Sequence, residues 1–202
     1  MPGSDAEARI AAAAFRLLAT ESWNRMTLAS VARAAKVSWG DMLRTAPSRA
    51  ALISVLLRRA AVDTAKRYRP DRAAPSARER VFDAIMSWFE AQNARKEAVR
   101  ALYGGLKQEP LTLLALRGDI VAAAEWLLAL AEADAGAASS VRAACIGGIV
   151  AHAMPVWFTD DAHMGKTMAQ LDRDLRRVEH FLWPPEKSQH QKRRKSRPRQ
   201  RR

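Results

Sequence analysis

Four histidines, one cysteine and 21 acidic residues are the side chains that could make this chain an enzyme, and their spacing argues against it. His152, His163, His180 and His190 are scattered, and none pairs with a cysteine or carboxylate at metal-ligand spacing. His163 lies near Asp160 and Asp161, a cluster that the start of a solvated helix explains. Cys145 has only Arg142, one turn away, to activate it. A lone cysteine also excludes an intramolecular disulfide and suits a reducing compartment. Gly147 and Gly148 sit in an apolar stretch rather than a phosphate loop, where they permit close packing. The expectation is no catalytic residue, no metal and no cofactor.

A different chemistry is written between residues 27 and 49, TLASVARAAKVSWGDMLRTAPSR. Leu28, Val31, Ala32 and Ala35 repeat at helical spacing. A break follows at Lys36 and Val37. Ser38 then opens a second helix, with Asp41 at the capping-box distance. Pro47 ends that helix and Ser48 opens the next. Two short helices joined by a tight turn form a helix-turn-helix, whose second helix can enter the major groove of DNA. Arg44 would face the groove and read a guanine edge or a phosphate. Thr27, Ser38 and Arg49 would hold phosphates from helix starts and the link. The first 49 residues carry seven Lys or Arg against four acids.

Helices must position that surface. Nearly half of the 202 residues are apolar, and Val and Ile are scattered rather than alternating, which predicts an all-α chain long enough to bury a real core. The net charge of +13 is uneven: Lys187 to Arg202 hold nine Lys or Arg and no acid, and without them the charge falls to +4. This tail is expected to be disordered and to attract nucleic acid or an anionic surface without sequence preference. No basic segment followed by an apolar one opens the chain, so no secretory signal is expected. The uncharged run from Ala143 to Phe158 is shorter than a membrane span and reads as a buried helix, so a cytoplasmic protein is expected.

The spacing predicts a first helix from about Asp5 to Glu21, with Ser4 as its cap and Ile10, Ala14, Leu17 and Leu18 on its apolar face. Trp23 and Met26 would close a small core. A helix from Ser48 to about Arg69 turns Leu52, Val55 and Leu56 inward. The loop from Arg69 to Ser76, holding Pro70 and Pro75, is the one compositional break between head and body. Helices then follow over Ala77–Ala94, Glu97–Gln108 (broken near Gly104 and Gly105), Pro110–Asp134, Ser139–Thr159 with Pro155 kinking its end, and Met164–Leu182. Ala135–Ala138 is a small-residue link. In the last helix Met164, Met168, Leu171, Leu175, Val178 and Leu182 form a heptad seam. That seam either packs on the chain's own body or makes a dimer with the Ala143–Phe158 helix. In the second case Cys145, Ile149, His152, Met168, Leu171, Leu175 and Val178 form the interface. Trp88, Phe89, Tyr103, Trp126, Met154, Trp157 and Phe158 could line a pocket for a small apolar ligand, or simply be core.

The first fifty residues resemble the TetR family of bacterial repressors. The matching residues are Thr27-Leu28, Ala35-Lys36-Val37-Ser38, Gly40, Arg44 and Pro47-Ser48-Arg49, in the family's order and without a gap. The resemblance implies a DNA-binding head over 1–49, a ligand-binding and dimerising helical body over 50–183, and the tail over 184–202. It also implies a homodimer on double-stranded DNA, released by a small molecule. Trp39, Gly40, Leu43, Arg44 and Thr45 would present the recognition surface. Lys36 stands at the usual turn glycine, which often wants positive φ. Trp39 replaces a common lysine, Leu43 a tyrosine, Thr45 a histidine and Ala46 a phenylalanine, while Asp41 adds a negative charge. The run from Ile149 through Val156–Asp161, with Lys166-Thr167-Met168 and Leu171-Asp172-Arg173, is similar instead to the end of a lipid-binding accessory family of coenzyme Q biosynthesis. That family has a repressor-like fold without DNA binding. Its membrane helix is replaced here by Pro184-Pro185 and the basic tail.

Overall fold

The computed structural model describes residues 2–70, 76–133 and 139–184, and these are helical with no strand among them. The link at 135–138, Pro75 and the basic tail therefore lie outside the described residues, as does most of the loop after Pro70. Helix α1 (Pro2–Leu18) begins and ends about three residues before its expected bounds, so Ser4 is inside it rather than capping it. Ile10, Ala14 and Leu18 are buried, with Leu17 half-buried beside them.

Helix α2 (Leu28–Ala35) starts at Thr27, whose hydroxyl accepts from the Ser30 amide while the Ser30 hydroxyl accepts from the Thr27 amide. It ends in a left-handed residue, Lys36, at φ 54°. The Val37 amide reaches the Ala32 carbonyl at 3.1 Å and the Lys36 amide reaches Arg33 at 3.2 Å, the paired bonds of a Schellman ending. The positive φ expected at this turn is present, and a non-glycine residue there costs about 1–2 kcal/mol. Ser38 opens α3 (Trp39–Thr45) with the expected capping box to Asp41. Met42 alone of α3 is fully buried in its span. Ser48 caps α4 (Arg49–Arg67), which turns Leu52, Val55 and Leu56 into the core.

The body consists of α5 (Ala77–Gln92), a 3-10 turn at Asn93–Arg95, α6 (Lys96–Leu106), α7 (Pro110–Leu130), α8 (Ser139–Thr159) and α9 (Gly165–Leu182). Pro110 occupies the first turn of α7, where its missing N–H costs nothing. Helix α6 runs through Gly104 and Gly105 without the expected break. Helix α8 is 21 residues long and is apolar and long enough to cross a membrane by length and composition. It exceeds the span expected from its uncharged run, yet it packs between α7 and α9 with Ala143, Ile146, Ala153 and Trp157 fully buried.

Most of the heptad seam packs on the chain's own body. Leu171, Leu175 and Leu182 are fully buried within the chain, against α8 and α5. Ile149 is buried too. These four pack inside the chain's own body, as in the first of the two readings, whereas Met168 of the seam is exposed and Val178 half-buried. The pattern of an amphipathic helix is the same whether its partner is its own body or another chain. Arg78 fixes α9 to α5 by bonding Asp172 at 2.7 Å and pairing with Glu179 at 3.4 Å.

Asp160 secures the other end of α9. Its carboxylate accepts from the Thr167 amide at 2.7 Å, the Thr167 hydroxyl at 2.8 Å and the Asp161 amide at 3.0 Å. Thr167 is fully buried. Replacing Asp160 by alanine strands both Thr167 groups, so a loss of about 1–3 kcal/mol is expected in urea unfolding. Asp160→Asn, which keeps an acceptor, is expected to lose less.

Candidate nucleic-acid interface and body core

Helix α3 stands outward, with Met42 pinned in the core and Trp39, Gly40, Leu43 and Arg44 facing solvent. Trp39 is 57% exposed and Leu43 61%. Thr45 is half-buried, and Ala46 is fully buried at the helix end. Arg44 extends over this face, but its guanidinium bonds Asp41 at 2.5 Å. An added Cβ on Gly40 would lie 3.4 Å from that guanidinium, an ordinary van der Waals contact, so the pair does not require the glycine. Asp41 thus serves Ser38 and Arg44 together. The Ser38 hydroxyl bond, helped by Arg44, holds its carboxyl below the ordinary carboxylate value. The outward surface of α3 is therefore two large apolar side chains beside a neutralised ion pair.

Thr27 and Ser38 sit at exposed helix starts, and their hydroxyls accept the capping amides. Arg49 differs from its expected role. Its guanidinium turns inward, stacked 4.0 Å over the Trp23 ring and donating to the carbonyls of Met26 at 2.6 Å and Trp23 at 3.2 Å. It also bonds Glu109 at 3.1 Å. Glu109 accepts as well from the Trp23 indole at 2.9 Å and from the Thr112 hydroxyl at 2.9 Å. Burial pushes the Glu109 carboxyl up, but these donors and the Arg49 charge hold it below its usual range. This hub ties the head to the α6–α7 corner. Sequence reasoning missed it because its members lie up to 86 positions apart.

In the body, Phe89, Trp157 and Phe158 stack in sequence, with centroids 5.3 Å apart at each step. Trp88 meets Phe89 at 5.1 Å and Tyr103 meets Phe158 at 5.5 Å. Met154 and Trp126 are half-buried against the same core. Among the described residues four buried polar atoms have no hydrogen-bond partner: both amide atoms of Gln92 and the indole nitrogens of Trp157 and Trp183. An open cleft of about 700 Å³ lies elsewhere, between α1, α4 and the start of α6.

Of the expected interface residues, Met168 is exposed and the His152 side chain is 63% exposed, whereas Cys145 and Val178 are half-buried. Burial pushes the Cys145 thiol up, away from a reactive thiolate. Among the described residues no group of His, Cys, Asp or Glu is placed to hold a metal ion. His152 bonds the buried Asp174 at 2.8 Å, and Gln170 donates to the same carboxylate at 2.9 Å. Burial raises the Asp174 pKa, while those bonds and the Arg177 charge lower it below the ordinary value. A depressed carboxylate stabilises the fold above its unfolded pKa of about 3.9 and loses that contribution as pH falls through the folded value. Asp174→Asn is therefore expected to flatten the fall of the urea midpoint below about pH 4 while lowering the midpoint near pH 7.

No family model matches the chain, and no curated protein matches it in sequence. Among solved structures it is similar to the crystal structure of a TetR transcriptional regulator from Rhodococcus sp. RHA1. The TM-score is 0.62 at 14% identity, over 91% of this chain and 98% of that one. At that identity the likeness is one of fold: the chain has an all-α, TetR-like fold.

Proposed function

We propose that the chain is a DNA-binding transcriptional regulator acting as a cytoplasmic homodimer. The observation that carries this reading is the outward α3, capped at Ser38 and anchored by Met42, on a head of TetR-like fold. Residues 1–49 would bind DNA, 50–183 would bind ligand and dimerise, and the basic tail would add salt-sensitive affinity. Trp39, Gly40, Leu43, Arg44 and Thr45 would face the groove, with Thr27 and Ser38 near phosphates at the helix starts. Arg49 supports them by holding the head in place through Trp23 and Glu109. Dimerisation would use the exposed sides of α8 and α9 around His152 and Met168. Two heads must then meet major grooves about 34–36 Å apart. A small apolar ligand held near Trp88, Phe89, Tyr103, Trp126, Met154 and Trp157 would change that spacing.

A second reading has its own support: a lipid- or quinone-binding accessory protein that keeps the fold without binding DNA. Exposed Trp39 and Leu43, with Arg44 neutralised by Asp41, favour it on the head. The partnerless Gln92 and Trp157 atoms in the aromatic core favour it in the body, as places where a ligand headgroup would bond. Gel-shift binding to the DNA around the protein's own gene, at low and moderate salt, separates the two. A shift whose affinity falls steeply with salt supports the regulator. No shift at low salt, together with co-purified isoprenoid or acyl lipid in native mass spectrometry, replaces it with the carrier.

A further inference from the structure

The cleft of about 700 Å³ between α1, α4 and the start of α6 has the size of a small-molecule site. Its walls divide by chemistry. Phe15, Ala8 and Ala12 of α1, Ala19 just past its end and two alanines of the α6 side make an apolar face. Arg16, Arg59, Arg95 and Lys96 make a cationic one, against only Asp63 and Glu97. Asp63 is shared: Arg59 bonds it at 3.1 Å and Arg95 bonds it as well. One carboxylate thus answers two guanidinium groups. The Arg95 guanidinium is held 4.6 Å over the Phe15 ring, so it is already ordered at the boundary between the two walls. Arg16 and Lys96 bond neutral carbonyls, those of Ala34 at 3.2 Å and Asp160 at 3.1 Å. Glu97 pairs with Arg100 at 3.3 Å. No side chain caps the α6 start, whose first residues line the same cleft and add a positive helix end.

We infer that this cleft binds a small amphiphilic anion, its carboxylate, sulfonate or phosphate group among Arg16, Arg95 and Lys96 and its apolar part on Phe15 and the α1 alanines. The cleft adjoins the aromatic core of the body only through Lys96, whose ammonium lies 5.2 Å from the Trp157 ring centroid, and it does not depend on whether the head binds DNA. Its position is that of an effector site, because Arg16 joins the cleft to the last turn of α2. An anion that draws Arg16 inward competes with its bond to Ala34.

The full chain is titrated with 1-anilinonaphthalene-8-sulfonate, read by fluorescence and by calorimetric stoichiometry, beside uncharged N-phenyl-1-naphthylamine. The expected result is one sulfonate probe per chain, about tenfold weaker binding in 0.5 M than in 0.05 M salt, and much weaker binding of the uncharged probe. The Arg16→Gln/Lys96→Gln double variant is expected to weaken the sulfonate about tenfold. Arg16 is exposed, and the salt and neutral-probe comparisons use the unaltered chain, so the test survives a poorly folding variant. Equal binding of the two probes overturns the inference. So does an unchanged sulfonate affinity in the folded double variant, which would place the probe on the basic tail or another surface.

Discussion

Replacing Gly105 by alanine is expected to destabilise the protein by about 3 kcal/mol, whereas the same change at Gly104 stabilises it by about 0.5–1 kcal/mol. The two glycines are neighbours in α6, and helix propensity favours alanine equally at both. Their surroundings decide the sign. A Cβ on Gly104 meets nothing within 4 Å. A Cβ on Gly105 would lie 2.5 Å from the Trp23 Cβ and 2.7 Å from its Cδ1. The Trp23 Cβ is fixed to its backbone and cannot swing away as a chain end would. Trp23 is also fully buried, covered by Arg49 and bonded to Glu109. Moving the indole therefore disturbs the entire tie between head and body. Urea unfolding of the two variants measures both effects. Equal and small changes would mean that α6 does not press on Trp23 as described.

The glycine pair also illustrates where sequence reading stops. A Gly-Gly step in a helical pattern reads as a break, because glycine is a poor helix former. The reason it is tolerated here, a tryptophan more than eighty positions away, leaves no local trace. The caps were legible for the opposite reason. Thr27, Ser38 and Ser48 act on amides three residues ahead, so the residues that matter stand together in the chain. The positive φ at Lys36 was legible only through the resemblance, which sets a glycine at this turn. The outward placement of α3 was expected from the helix-turn-helix pattern, but the residue that anchors it, Met42, was not singled out. The neutralised charge on α3 did not follow, because a sequence places Arg44 and Asp41 one turn apart without saying that they bond. The heptad seam was visible, but its partner was not. The cationic cleft was invisible, since its cations arrive from α1, α4, the 3-10 turn and the start of α6.

Converting Asp41 to asparagine is expected to raise DNA affinity about tenfold and to steepen its salt dependence by about one unit of slope, if α3 is the surface that meets the duplex. Asp41 is charged throughout the physiological range, because the Ser38 hydroxyl bond and Arg44 favour its ionised form. It therefore repels nearby phosphates and occupies the one cation on the outward face of α3. Asparagine retains a carbonyl oxygen for the Ser38 amide and hydroxyl, so the start of α3 keeps its cap. What changes is charge: Arg44 is released from its carboxylate and becomes available for a phosphate or a guanine edge. Far-UV circular dichroism should show an unchanged fold, which isolates the electrostatic effect. Gel shifts of the parent and the variant across a salt series provide the slope. An affinity that stays flat, with the fold intact, would remove α3 from the DNA surface. Absence of binding in both proteins would leave exposed Trp39 and Leu43 as the dominant feature of the head, and with them the lipid-binding reading.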